Sequence, residues 1–126
     1  DILNSPTYKV LTKDEWRQAQ TSGLIITDLD RKDGFIHLST ATQLNATLSL
    51  YFYKEKSVVL LELDFLKTNE QIKFETPTPP GKRIGSFPHY YGELSSNTIS
   101  RTWDLKRSAF ELPLEVMLQA EHVSSS

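Results

Sequence analysis

The chain has 126 residues, with 14 Lys plus Arg against 16 Asp plus Glu and a formal charge of −2, the size of one ordinary domain able to bury a core. So balanced a charge gives no general pull toward duplex nucleic acid or an anionic membrane surface. The absence of cysteine excludes thiol nucleophiles, disulfides and cysteine zinc sites, and with neither an HExxH motif nor a histidine pair at helical spacing no metal is expected.

No apolar run approaches the ~20 residues that cross a bilayer, and Asp1 to Tyr8 lacks the charged-then-apolar profile of a signal peptide. The chain therefore reads as one soluble, cytoplasmic domain over 1–126, with an ordered core of about 7–120 and a polar tail over 121–126. Asn45-Ala46-Thr47 has the form of a glycosylation acceptor, but it falls inside a helical pattern.

In chain order, Tyr8 to Leu11 reads as a first strand. Thr12 and Glu15 then have capping-box spacing, and Leu11 and Trp16 flank them as a hydrophobic staple. The spacing predicts a helix over Lys13 to Ser22, stopped at Gly23, the residue that most easily turns left-handed. Asp28 to Gly34 is polar and reads as a loop leading into a short strand, Phe35 to Leu38. Thr40 and Gln43 repeat the capping spacing, and Leu44, Leu48, Tyr51 and Phe52 mark one apolar face of a second helix.

Val58 to Leu63 is nearly continuous in apolar residues, as in a central strand covered on both faces. Gln71 to Glu75 suggests another strand, and Pro77, Pro79, Pro80 and Gly81 exclude regular structure until about Gly85. Phe87 to Gly92 reads as a loop. Ile99, Arg101, Trp103 and Leu105 alternate with polar residues as in a half-buried strand, and Phe110 to Leu112 suggests one more. Two helices among several strands predict an α+β domain with a strongly curved, mainly antiparallel sheet.

Two histidines carry the chemical interest. His37 lies in Gly34-Phe35-Ile36-His37-Leu38-Ser39-Thr40, where a strand runs into a helix start whose free N–H groups suit an anion. Strand alternation puts Phe35 and His37 on one face. His89 sits among aromatics in Phe87-Pro88-His89-Tyr90-Tyr91-Gly92, with Tyr90 and Tyr91 offering flat rings for stacking on a base. Glu75, after Phe74, stands out as a half-buried acid. The plain alternatives remain open: a satisfied half-buried imidazole at His37, caps at Ser39, Thr40 and Gln43, and an aromatic loop packed on the core.

The ordered set Tyr8-Lys9-Val10-Leu11, Trp16, Gly23, Asp33 to Thr40 with Gln43, Leu60 to Asp64, Phe74-Glu75 and Phe87 to Gly92 resembles the family called domain of unknown function 952, from about Tyr8 to Leu112. The pair GFIHLS and FPHYYG carries most of that resemblance. The family is grouped by fold with ADP-ribosyltransferases, and His37-Leu38-Ser39 is similar to a segment of the NAD-consuming RNA 2′-phosphotransferases. The resemblance implies a split, bent sheet with NAD or a related nucleotide in its cleft, and transfer of ADP-ribose to an acceptor.

On that resemblance, His37, Glu75 and His89 are the candidate catalytic residues. Glu75 would stabilise positive charge developing on the ribose, His37 would bond its hydroxyls or a phosphate, and His89 with Tyr91 would shape the nicotinamide or acceptor end. Ser39 and Thr40 at the helix start would hold the pyrophosphate, Lys9 would pair with a phosphate, and Tyr90 and Tyr91 would stack. The chain departs from the family where Lys9 replaces a usual histidine and Phe74 a usual tryptophan. The Lys9 departure, with no arginine near either histidine motif, favours a second reading, a nucleotide or small-ligand binding module without catalysis. A third is a hydrolase or glutathione-dependent enzyme using His89 as base.

Overall fold

The computed structural model describes residues 6–76, 85–106, 113 and 115–119. In order these form β1 (Tyr8–Thr12), α1 (Lys13–Ser22), α2 (Asp28–Asp33), β2 (Ile36–His37), α3 (Leu44–Tyr51), β3 (Ser57–Leu63), α4 (Phe65–Thr68), β4 (Ile72–Glu75), β5 (Phe87–Tyr90) and β6 (Ile99–Lys106), with further helix over 115–119. The strands make two three-stranded antiparallel sheets, β1-β3-β6 and β2-β5-β4. The expected α+β class and antiparallel pairing stand. The sheet is split into two, which meet where Tyr8 and Ser39 exchange backbone hydrogen bonds of 2.8 and 2.9 Å.

β3 is the central strand of its sheet, buried on both faces by strict alternation. Val58 and Leu60 join Tyr8, Val10, Leu44, Leu48 and Leu105 in one apolar cluster. Val59, Leu61 and Leu63 join Leu11, Ile25, Ile36, Leu38, Tyr90 and Leu94 in a second. Each fully buried aliphatic side chain contributes roughly 1.5–3 kcal/mol relative to exposure. The same alternation in β1 turns Lys9 inward on the side of Leu11, where its charge demands a partner.

α1 has the predicted bounds, the predicted box between Thr12 and Glu15, and Gly23 left-handed at its end. The segment expected as a loop at Asp28 to Gly34 is instead helix α2, followed by Gly34 at φ 85°. A second capping box explains it: the Thr27 hydroxyl accepts from the Asp30 amide at 3.1 Å, and the Thr27 amide donates to Asp30 Oδ2 at 3.0 Å. A short carboxylate does here what glutamate does in α1.

α3 begins one 3₁₀ turn after Thr40 and buries Leu44 and Leu48, while Tyr51 stays exposed. The expected aromatic loop at Phe87 to Gly92 is mostly strand: β5 occupies Phe87–Tyr90, buried throughout, because β2 and β4 pair with it on its two edges. Where two helices were expected, four short ones precede residue 69. The strand expected at Phe110 to Leu112, the proline-rich stretch from Pro77 and the polar tail lie outside the described residues.

Candidate functional site

The β2-β5-β4 sheet has two chemically different faces. Ile36, Leu38, Ile72 and Tyr90 face the second apolar cluster. On the other face alternation gathers Phe35, His37, Glu75, Phe87, His89 and Tyr91, all of which line one cavity of about 840 Å³. That volume falls in the range of small-molecule sites. His37 and His89 come together because they are direct partners across β2 and β5, where opposed side chains share a face. Their ring centroids are 5.6 Å apart. Phe35 lies against both, stacked on His89 at 4.0 Å and tilted against His37 at 4.7 Å.

Each imidazole is held by carboxylate. His89 Nδ1 lies 2.8 Å from Glu75 Oε1, and the Tyr91 hydroxyl donates to the same oxygen at 2.6 Å. These two donors hold the Glu75 carboxyl below its ordinary range, Tyr91 first and His89 second, with Lys73 helping. The same bond to Glu75 pushes the Tyr91 phenol up. With Nδ1–H donating to Glu75, the network assigns the open nitrogen of His89 to Nε2. Glu75 Oε2 makes no hydrogen bond among the described residues, so one carboxylate oxygen also stays open to the cavity.

His37 is more heavily bound. Its Nδ1 is 2.6 Å from Asp30 Oδ1 and its Nε2 2.9 Å from Asp33 Oδ2, contacts that both nitrogens satisfy only by donating. Asp30 is fully buried and also takes the His37 amide at 3.0 Å and the Lys9 ammonium at 2.9 Å. Burial raises the Asp30 carboxyl, but the His37 hydrogen bond and the Lys9 charge outweigh it and hold it well below the usual carboxylate range. Burial works against the Lys9 ammonium and Asp30 works for it. We take the pair as ionised, because a neutral Lys9 would leave the Asp30 carboxylate without its closest cation.

Lys9 thus lines the cavity with its charge already matched by Asp30 and its third proton donated to the His37 carbonyl at 2.9 Å. Ser39 also lines it, with its hydroxyl bonded to Thr47 at 2.9 Å. Thr40 and Tyr90 do not reach it. The Thr40 amide donates to Gln43 Oε1, and Tyr90 packs into the second cluster on the far side of β5. Sequence reasoning missed Asp30 and Asp33. The Thr27-x-x-Asp30 capping spacing carried the signal, as did the need of an inward-facing lysine for a carboxylate.

The two-part, antiparallel α+β fold is shared with solved proteins. The chain is similar to protein CC0527 from Caulobacter crescentus. In its crystal structure the identity is 30% and the TM-score 0.75, over 92% of this chain and 99% of that one. In its solution NMR structure the identity is 28% and the TM-score 0.68, over 96% and 98%. No curated protein matches. Residues 10–102 match the family of proteins of unknown function DUF952, and the chain belongs to that family. Among the described residues no helix is long and apolar enough to cross a membrane, and no cluster of His, Asp or Glu is arranged to hold a metal ion.

Proposed function

We propose that this chain is an ADP-ribosyltransferase-like domain that takes the ribosyl end of NAD or a related nucleotide in this cavity and transfers the ADP-ribosyl group to an acceptor. The observation that carries the reading is the open Glu75 oxygen beside the open His89 nitrogen, on the wall of a cavity large enough for a nucleoside. The donor set suits the ribosyl end. An anionic carboxylate fits a sugar that gains positive charge, and the aromatic flank of Phe35 and Tyr91 fits a planar base.

NAD would supply a ribosyl carbon whose bond to its leaving base breaks with positive charge developing on the sugar. Glu75 Oε2 stabilises that charge more than the ground state, and Oε1 keeps His89 and Tyr91 in place. His89 Nε2 accepts the proton of the attacking hydroxyl. His37 is a positioning residue: its ring nitrogens are committed to Asp30 and Asp33, and it fixes the wall against which His89 stands. Thr40 and Tyr90 take no part in this reading, and Lys9 acts through Asp30 rather than on a phosphate.

The test is release of free base from NAD, followed by chromatography with the full chain. Glu75→Gln and His89→Ala are each expected to lower the rate about 10²- to 10³-fold. Release that neither substitution changes refutes the reading. A specific observation favours the second reading, a binding module without catalysis: Lys9, the one Lys or Arg among the described lining residues, is already matched by Asp30, so no free cation there awaits a phosphate. Calorimetric binding of a nucleotide without turnover would select it.

A further inference from the structure

The lining of the cavity has a marked charge. Among the described residues it includes the carboxylates Glu15, Asp28, Asp30, Asp33, Glu55 and Glu75 and a single Lys or Arg side chain, Lys9. Lys9 and the ring of His37 are both bound by Asp30, and even with His37 counted as a cation the acids outnumber the cations six to two. A dianionic pyrophosphate entering that space meets repulsion, whereas a ligand with positive charge is drawn in. An acidic lining alone would say little. The independent observation is His89: its side chain is only 9% exposed, it lines the cavity, and while its Nδ1 is taken by Glu75 its Nε2 has no partner among the described residues, so that nitrogen is open to a ligand. Beside it the Phe35 and Tyr91 rings supply the π-faces that a delocalised cation prefers.

We infer that the ligand class of this cavity is a ribosyl compound whose base carries a delocalised positive charge, and that the phosphate-free riboside holds most of the affinity. The inference rests on the reading of the cavity as a ribosyl site and adds which part of the ligand is recognised. The cationic base lies toward the acids, a ribose hydroxyl donates to His89 Nε2 until the acceptor's hydroxyl takes its place there, and any phosphates project outward.

Isothermal calorimetry on the full chain with nicotinamide riboside, NAD and the neutral nucleoside inosine tests this. The expected result is riboside affinity within about tenfold of NAD and more than about tenfold tighter than inosine, the last margin equal to one 1.4 kcal/mol step. In a chain carrying both Asp28→Asn and Glu55→Gln, riboside affinity is expected to fall about three- to tenfold at low salt, with inosine unmoved, because both removed charges act through water. NAD binding more than tenfold tighter than the riboside, or inosine equal to it, overturns this inference and leaves the ribosyl reading in place. Failure of all three compounds to bind overturns both.

Discussion

Asp30→Asn is the perturbation that reaches furthest into this molecule. The Asp30 side chain is fully buried and serves the Thr27 amide, the His37 amide, the His37 ring and the Lys9 ammonium, whose own side chain is 6% exposed. At 2.9 Å and an effective dielectric of ~20 the attraction to Lys9 alone is about 6 kcal/mol, most of it offset by desolvation of the two charges. The amide keeps the shape and one acceptor oxygen but removes the charge, stranding Lys9 in the interior. Stranding a buried partner costs about 3–5 kcal/mol, a large share of the 5–15 kcal/mol that holds a domain together.

Urea unfolding is the assay. With a slope of about 2 kcal/mol per molar, the midpoint of Asp30→Asn is expected about 2 M lower. Lys9→Met added to it removes the stranded charge and is expected to restore most of the loss. A single variant that loses less than about 1 kcal/mol, or a double variant no more stable than the single, would refute the argument that this ion pair is what Lys9 requires. The pH dependence has a definite sign. Because Asp30 is held below its unfolded value of about 3.9, the wild type keeps this contribution above about pH 5 and loses it as pH falls further. Asp30→Asn is expected to flatten that acid limb.

Other outcomes follow from the same packing. Of the five tyrosines, Tyr8 is pushed up by burial and by Glu62, and Tyr91 by Glu75, so absorbance at 295 nm is expected to show two phenols ionising above the ordinary range. Glu75→Gln is expected to return one of them to it; no change in that variant would contradict the Tyr91 bond. Leu60→Ala, at a fully buried position in the central strand, is expected to cost about 2–5 kcal/mol in urea unfolding. Gly34→Ala meets no atom within 4 Å but forces alanine to φ 85°, for an expected loss of about 1–2 kcal/mol that Gly34→Asn partly recovers.

Much of the framework was legible because it rests on local rules. The Thr12 box, the stop at Gly23, the doubly covered run before Leu63 and the period of two in β6 each depend on neighbours in sequence. The segment around His89 did not, because Pro88 and Gly92 signal a loop while its strand state comes from β2 and β4, each at least ten residues away in sequence. The pairing of His37 with His89 depends on a cross-strand register that no local pattern encodes. Asp30 was hidden for a different reason. Its capping role looked like loop polarity, and its partner Lys9 was expected to pair with a phosphate, whereas alternation in β1 places it beside Leu11 and against Asp30.

The central claim is that His37 and His89 line one ligand-binding cavity with Glu75. Two-dimensional NMR of the histidine ring signals during titration with nicotinamide riboside, and then with NAD, tests it most directly. The account predicts that the His37 and His89 rings both shift along a single binding curve and that Glu75→Gln abolishes the His89 response. A ligand that moves one ring and not the other, or a His89 response indifferent to Glu75→Gln, would contradict it.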